Sequence, residues 1–346
     1  MSSQNIKSKN HFVPRHYLNN WLNESGELFV YNLLVPNESY PIWNSTTPSK
    51  FGYRYHLYTS FENTKETDEM ENWLESEFET PAAPIIEKVI FNKRISPEEW
   101  KILIRYAACQ SVRTPASYIK FTSLGRKLMP ESLNETFYDL INNRKLNMAP
   151  SDFVTISKEE KKLSSRFKHS LIKDESGQQF LKVETVFDRQ FWLNEVRRIL
   201  SHTYKVLLNH KWTILCPPDG INWYTSDNPV VRLSYSSEKK YNLDGGWGVK
   251  GCEIIFPLSP NHMLYTLIGK KSFQRNHIID RIKANQLNRI LVENAHLHVI
   301  SNNSDLKIQS IRKRTVDLEL FNRNKKNWEE WHKTQSNSHM DFEFTR

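Results

Sequence analysis

The sequence predicts an α+β fold in which a helical middle is bracketed by N-terminal and C-terminal β strands. Branched and aromatic residues, which strands favour, are concentrated at residues 27–60 and again at residues 211–269. Between these two regions, apolar residues recur at helical spacing over much of the chain. We find no internal repeat, and because strands at both ends bracket a helical middle, we expect them to join in one mostly antiparallel sheet.

The 346-residue chain is long enough to bury a full core, and we expect a single domain over residues 1–312. Residues from about 121 to 180 are polar and rich in Lys and Ser, which indicates an insertion with weak helical periodicity. Residues 313–346 are charged and polar. We expect them to form a C-terminal tail that is helical in part.

The stretch HFVPRHYLNNW, residues 11–21, has two interpretations. In the first, Pro14 takes the first position of a helix, where its missing N–H costs nothing, and the apolar residues after it share one face. Those apolar residues are Tyr17, Leu18 and Trp21. In the second, His11 and Arg15 form part of a site at the helix entrance. The sequence leaves both interpretations open.

Helical spacing begins at Thr67 and continues through the middle of the chain. A proline directly after Thr80 predicts that a second helix begins there. A later segment, residues 188–209, carries a clear apolar stripe and predicts another helix.

Ser96 and Glu99 have the spacing of a capping box and predict the start of a further helix. This helix is expected to end before Pro115, because a proline disfavours helical geometry in the residue that precedes it. Gln110 and Arg113 then share a face near its C-terminal end.

The motif TSDNP, residues 225–229, follows a predicted strand in the C-terminal half. Asp and Asn before Pro favour a turn. The turn would also place Ser226, Asp227 and Asn228 at the end of a strand, where sites are often built. Asp227 could act as a base, as a metal ligand or as the partner of an arginine. Both a turn and a site remain open.

A last amphipathic helix is predicted over residues 277–294, and the strand-like runs HLHVIS and LKIQSI follow it. His296 and His298 would point to the same face of a strand, a pattern that can bind a metal but is more often structural. GWGVKG, residues 246–251, matches G-x-G-x-x-G, but a loop precedes it and a strand follows. We therefore interpret it as a flexible turn and not as a nucleotide site.

The composition is that of a globular, modestly basic protein. There are 48 Lys and Arg against 39 Asp and Glu, which permits an anionic partner such as nucleic acid. The N-terminus lacks a signal-peptide core, and no run reaches the roughly 18 apolar residues of a membrane span, so we expect a cytoplasmic protein without a membrane partner. The three cysteines are far apart, and neither a disulfide framework nor a structural zinc site is indicated. No cofactor is specified.

Taken together, four segments resemble a bacterial family known as DUF4238, a domain of unknown function. These are HFVPRHYLNNW, the helix ending CQSVRTP, the strand and turn WYTSDNPVV, and IIFPLSP followed by NQLNRILVENAHLHVIS. The resemblance covers residues 8–302 or so, and it implies no particular reaction. It implies that the family's motif positions are occupied here by His11, Pro14, Arg15, Gln110, Arg113, Ser226, Asp227, Asn228 and Pro229.

This residue set suits acid–base chemistry on a phosphate or carboxylate, with arginine binding the charge and His11 or Asp227 moving the proton. We predict that His11, Arg15, Arg113 and Asp227 are catalytic. We further predict that Gln110, Ser226 and Asn228 bind substrate. A divalent metal could bind only through Asp227 and carboxylates such as Glu79.

The leading hypothesis is therefore an intracellular bacterial hydrolase or transferase that acts on nucleic acid or nucleotide phosphate, in a toxin or defence setting. The same residues could instead form a buried network in which Asp227 pairs with Arg15 or Arg113. In that case the protein would be a non-catalytic module that binds nucleic acid or a partner protein.

Overall fold

The computed structural model of the chain describes residues 6–62, 65–142, 167–173, 176, 179–237 and 240–344. The N-terminal third holds short strands and the first helices. In chain order these are β1 (Lys9–His11), α1 (Arg15–Leu18), β2 (Leu28–Asn32), β3 (Leu34–Val35), β4 (Trp43–Thr46), β5 (Tyr53–Tyr55), β6 (Ser60–Glu62), β7 (Lys65–Thr67), α2 (Glu69–Leu74) and α3 (Thr80–Ile90).

Helices occupy most of the described middle of the chain. They are α4 (Pro97–Val112), α5 (Pro115–Asn142) and α6 (Arg189–Ser201), and the hairpin strands β8 (Phe167–Lys173) and β9 (Gln179–Thr185) lie between the last two. A 3-10 segment over Thr203–Asn209 continues α6, as the apolar stripe at 188–209 predicts.

Strands return in the C-terminal half and are followed by helices at the end. The elements are β10 (Trp212–Cys216), β11 (Thr225–Ser226), β12 (Val231–Ser237), β13 (Lys240–Asn242), β14 (Glu253–Ser259), β15 (His262–Leu267), β16 (His277–Ile278), α7 (Arg281–Asn294), β17 (His298–Ser301), α8 (Ile308–Ile311), β18 (Thr315–Val316), α9 (Leu318–Glu329) and α10 (Trp331–Phe344).

The predicted α+β class is confirmed, and strands from both ends of the chain do pair. They meet in an antiparallel sheet of four strands in the order β11-β17-β2-β4. Most other C-terminal strands form a second sheet, in the order β13-β12-β14-β15-β10-β16. All seven residues of β14 are buried, as expected of a strand that is covered on both faces.

The opening stretch packs into the core as its apolar pattern predicts, with Tyr17, Leu18 and Trp21 all fully buried. The helical part is shorter than expected. Pro14 has an extended ψ of 144° and is the N-cap, not the first helical residue, so the helix begins at Arg15 and ends after one turn. A 3-10 turn over Asn19–Trp21 follows.

The predicted helix start at Thr80 is confirmed, since α3 covers Thr80–Ile90, although the backbone at Thr80 already has helical angles of −58° and −45°. A π turn over Glu75–Glu79 joins α2 to α3 in one helical run. Prolines at 81 and 84 cannot donate the usual helical hydrogen bonds, and a wider turn just before them is one way to accommodate that loss. The capping box of α4 is confirmed, since Ser96 and Glu99 bond reciprocally at 3.2 and 2.7 Å.

Three other segments differ from their sequence patterns. Residues 277–278 form a strand, and α7 begins only at Arg281, where Asp280 caps it. The run LKIQSI contains a short helix and not a strand. Within the predicted insertion, α5 extends to Asn142 and β8 pairs with β9, while residues 143–166 lie outside the described part.

Residues 313–346, expected to form a tail, contain β18, α9 and α10. Trp331 at the start of α10 is buried, and its ring meets that of Tyr118 edge-on at 4.7 Å. Of the helices that the structure describes, none combines the length and apolar character needed to cross a membrane.

Candidate functional site

A cleft of about 870 Å³ opens between the four-stranded sheet and the C-terminal helices. One wall comes from the segment Lys50–His56, which includes β5. The floor includes Leu297 and His298, at the start of β17. The opposite wall is formed by α9 and by His332 of α10.

Asp227 and His298 form a hydrogen-bonded pair at the floor of this cleft. Asp227 Oδ2 lies 3.1 Å from Nδ1 of His298, and only 4% of the Asp227 side chain is exposed. His298 lines the cleft and is 24% exposed. The ring of Phe51 meets the His298 ring edge-on at 5.3 Å, so the imidazole is held on two sides. We call these two residues the Asp227–His298 pair.

Strand pairing puts the two residues together. Ser226 of β11 is opposite Val299 of β17, and the N–H of Asp227 donates to the carbonyl of His298 at 3.1 Å. The carboxylate of Asp227 also accepts the backbone N–H groups of His296 and Leu297, both at 2.8 Å. The motif TSDNP is therefore a turn and an anchor for the start of β17 at once.

The surroundings of Asp227 favour its ionised form. Burial opposes ionisation, but the hydrogen bond and charge of His298 and the backbone N–H of Leu297 outweigh it, so the pKa of Asp227 lies below its ordinary value. An ionised carboxylate accepts a hydrogen bond from Nδ1–H, which assigns the Nδ1–H tautomer to the neutral imidazole of His298. Nε2, on the opposite edge of the ring, is then an acceptor, and it makes no hydrogen bond to the residues that the structure describes. This is the arrangement of a histidine base oriented by an aspartate.

Arg54 adds a cation to the same cleft. Its guanidinium makes no hydrogen bond to the residues that the structure describes, and its Cζ lies 4.9 Å from the ring centroid of Trp328. Burial lowers the pKa of Arg54, and the charge of Asp227 partly opposes that effect. Lys50 and Lys325 also line the cleft, with Glu329 as the one carboxylate among its described lining residues. The walls therefore carry a net positive charge.

Gly52 helps to seat this wall against the opening stretch. Its carbonyl accepts the N–H groups of Phe12 and Val13 at 2.8 and 3.1 Å. Its φ is +70°, and a Cβ there would lie 3.1 Å from the carbonyl oxygen of Val13. Glycine is therefore required at this close approach, two residues before Arg54.

Arg113 is fully buried in a separate cluster, which we call the Arg113 centre, and the Glu79 side chain in this cluster is 16% exposed. Its guanidinium bonds to Glu79 Oε1 at 2.5 Å, to the carbonyl of His11 at 2.7 Å and to the hydroxyl of Tyr58 at 3.1 Å. Tyr58 in turn donates to the carbonyl of Arg113 at 2.6 Å. Burial alone would lower the pKa of Arg113, but its electrostatic interactions with the Tyr58 hydroxyl and the Glu79 carboxylate outweigh burial and hold that pKa well above its ordinary value.

His11 and Arg15 are both predicted to be catalytic. His11 lies beside the Arg113 centre, and Arg15 lies at the surface. Burial and the nearby cations Lys9, Arg15 and Arg113 lower the pKa of His11 to about 4, so its imidazole is neutral at pH 7. Arg15 is exposed. Among the described residues, no hydrogen bond joins Asp227 to His11, Arg15 or Arg113.

The residues predicted to bind substrate are buried or bonded to neighbouring elements. Gln110 is fully buried, and neither polar atom of its side chain has a hydrogen-bond partner in the described chain. Ser226 Oγ accepts the N–H of Asn228 at 3.1 Å. The Asn228 side chain bonds to Thr114 and to the carbonyl of Asn294, both at 3.1 Å. None of these three residues lines the cleft.

One group of side chains next to the cleft has the composition of a metal site. Ligand atoms of His56, Glu66 and His332 all lie within 4.8 Å of one another. However, Arg189 Nη1 lies 3.1 Å from His332 Nδ1, which must therefore accept, while His332 Nε2 lies 3.2 Å from Glu66. The group is thus already hydrogen-bonded, and a cation there would face a guanidinium.

The opening stretch contacts two of the other motifs. The Tyr17 hydroxyl lies 2.6 Å from Oγ1 of Thr225, the first residue of TSDNP, and donates to the carbonyl of Pro257, in IIFPLSP, at 2.6 Å. The family model described as "Protein of unknown function (DUF4238)" matches residues 9–305. The chain belongs to the DUF4238 family. No match was found among curated proteins or among solved structures.

Within this DUF4238 chain, the matched region contains the Asp227–His298 pair and Arg54, whereas α9 and α10 lie beyond it. Sequence reasoning proposed Asp227 but missed Arg54, His298 and Trp328 as site residues. The doublet His296 and His298 was one signal, although it indicated a metal or a structural role. No local pattern could show that His298 meets a carboxylate 71 positions earlier in the chain.

Proposed function

We propose that the cleft binds a nucleotide or nucleic-acid phosphate and that the Asp227–His298 pair catalyses hydrolysis or transfer at the phosphorus. One observation carries the proposal: an imidazole held by a buried carboxylate lines a cleft whose walls are aromatic and cationic. Arginine binds phosphate well because its planar fork matches the phosphate oxygens. Among the described residues no carboxylate is bonded to Arg54, so none of them competes with an anion for its guanidinium.

In the proposed reaction, His298 Nε2 removes a proton from water or from a hydroxyl nucleophile as its oxygen attacks phosphorus. The bond from phosphorus to the leaving oxygen breaks, and the imidazolium returns the proton to that oxygen. Asp227 stabilises the imidazolium without taking its proton. Arg54 offsets the charge that develops on the phosphoryl oxygens.

A binding assay and a turnover assay test the proposal together. Labelled single-stranded oligonucleotides and mononucleotides are titrated into the wild-type chain, and products are followed over time. We expect His298→Ala to reduce turnover by at least about a hundredfold with little change in binding. We expect Arg54→Ala to weaken binding about tenfold, because it removes a charge-assisted contact. His277→Ala, which changes an exposed histidine outside the cleft, is the matched control.

The outcomes separate catalysis from binding alone. If none of these ligands binds the wild-type chain, the proposed function is wrong. The alternative, a non-catalytic binding module, is favoured by the backbone bonds of Asp227, which would anchor β17 whether or not His298 is a base. Binding that weakens in Arg54→Ala, with no turnover in the wild type, would establish that alternative and overturn the catalytic proposal.

A further inference from the structure

Helix α9 lines one side of the cleft, and its Trp328 is partly buried against the hydrophobic core. Five of its residues line the cleft, and none of the twelve is buried. The five are Phe321, Asn324, Lys325, Trp328 and Glu329. Beyond Trp328, a helix with this exposure adds little to the hydrophobic core, so what holds its ends matters for its position.

Both ends of α9 are fastened to the body. Before it, β18 pairs in parallel with β3, and the N–H of Asp317 donates to the carbonyl of Val35 at 3.0 Å. Asp317 then caps the helix by accepting the N–H of Leu320 at 2.8 Å. After it, the buried ring of Trp331 packs on Tyr118. The helix is thus held across the cleft at two points.

Arg54 lies over the ring of Trp328 in a cation–π contact, and both residues line the cleft. The guanidinium carbon is 4.9 Å from the indole centroid, and Trp331 supports the indole from 5.0 Å away. Nucleic-acid-binding proteins stack unpaired bases on aromatic rings and on arginine planes. Bases in a duplex are already stacked on one another and are not available for such a contact.

The size of the cleft also favours an unpaired nucleotide as its ligand. A volume of about 870 Å³ is that of a site for one small organic ligand, and helix α9 supplies five of the residues that line it. We propose that α9 makes the cleft selective for unpaired nucleotides, with Trp328 and Arg54 forming the platform on which a base stacks. This proposal rests on the proposed function and specifies its substrate class as single-stranded.

The test uses a short phosphorothioate DNA strand that carries 2-aminopurine, whose fluorescence falls when the base stacks, and a separate end label for anisotropy. The full chain is titrated against the strand alone and against its duplex. We expect the wild type to bind the single strand at least about tenfold more tightly than the duplex, with quenching of 2-aminopurine.

Trp328→Ala should weaken single-strand binding by at least about fivefold and abolish the quenching, because one stacking contact is lost. Trp328→Phe keeps an aromatic face and should restore most of both signals, which separates stacking from a folding defect. Phe91→Ala is the matched control, since it removes an exposed ring that also lies near a cation, Lys93, but outside the cleft.

Failure of this inference is distinguishable from failure of the proposed function. If the wild type binds neither the single strand nor the duplex, both this inference and the proposed function are wrong. If the single strand binds and Arg54→Ala weakens it, but Trp328→Ala leaves affinity and quenching unchanged, the role of Trp328 is overturned and the proposed function stands. Equal affinity for strand and duplex would likewise overturn the selectivity.

Discussion

The Arg113 centre and the Asp227–His298 pair are both built from family motifs, yet they differ in what reaches solvent. Each contains a buried charge that meets several hydrogen-bonding partners. At the Arg113 centre every donor nitrogen is bonded inward, and Arg113 itself is fully buried. At the pair, the carboxylate is buried but the imidazole lines a cleft, and its Nε2 makes no hydrogen bond within the described part of the chain.

This difference separates two uses of a buried charge. A buried ion pair whose groups are all satisfied holds elements together, and here Arg113 ties α4 to the end of β1 and to the π turn. A buried carboxylate that orients a partly exposed histidine can also do chemistry. We therefore expect substitutions at the Arg113 centre to change mainly stability, and substitutions at the pair to change mainly turnover.

The largest expected effect is the loss of stability on changing Arg113. Arg113→Met should lower the free energy of unfolding by about 3–5 kcal/mol, because it leaves Glu79 and the carbonyl of His11 without their partner in the interior. Arg113→Lys keeps the charge but not the planar fork of the guanidinium. Its free energy of unfolding should therefore lie between those of the wild type and of Arg113→Met. Denaturant unfolding followed by fluorescence measures both, and Arg94→Met, at an exposed arginine, is the control.

A stable Arg113→Met chain that has lost turnover would contradict the comparison. Such a result would mean that Arg113 acts on substrate despite its burial, as the sequence alone predicts. Loss of stability and turnover together is resolved by measuring turnover at a temperature where the variant is still folded.

A smaller loss of stability is expected at Asp227, and it should depend on pH. Because the pKa of Asp227 is depressed in the folded state, its contribution is present above the unfolded value near about 4 and is lost as pH falls through the folded value. Asp227→Asn should therefore cost about 1–3 kcal/mol at neutral pH and progressively less in acid. Unfolding curves of both chains at a series of pH values measure the difference, and a cost that is constant with pH would show that ionisation is not involved.

The sequence predicts the fold class and most of the elements because each is encoded locally. The capping box at Ser96 and the apolar face around Tyr17 are patterns within one element, and both are confirmed. The candidate site is harder, because it depends on pairing between distant strands. TSDNP indicates that Asp227 ends a strand, but only the pairing of β11 with β17 brings His298 to it.

Arg54 and Trp328 show the same limit more strongly. Arg54 lies in an aromatic run whose composition predicts extended chain. Trp328 lies in a segment whose composition predicts a charged tail. Neither segment has a local feature that points to a site. They meet because β18 pairs with β3 and carries α9 over the cleft, a contact between residues far apart in the chain.

The smallest expected effect is at Arg15, and it tests whether the opening stretch belongs to the Arg113 centre or to the catalytic site of the Asp227–His298 pair. Its side chain is exposed, and among the described residues it takes part in no hydrogen bond or ion pair, so Arg15→Ala should change the free energy of unfolding by less than about 0.5 kcal/mol. Oligonucleotide affinity and turnover should stay within about threefold of wild type, since Arg15 does not line the cleft. A turnover loss near that of His298→Ala would place the opening stretch in the catalytic machinery and would join the two centres into one site. If stability, affinity and turnover are unchanged in Arg15→Ala, the role of HFVPRHYLNNW is structural, through the hydrogen bonds of Tyr17 to Thr225 and Pro257.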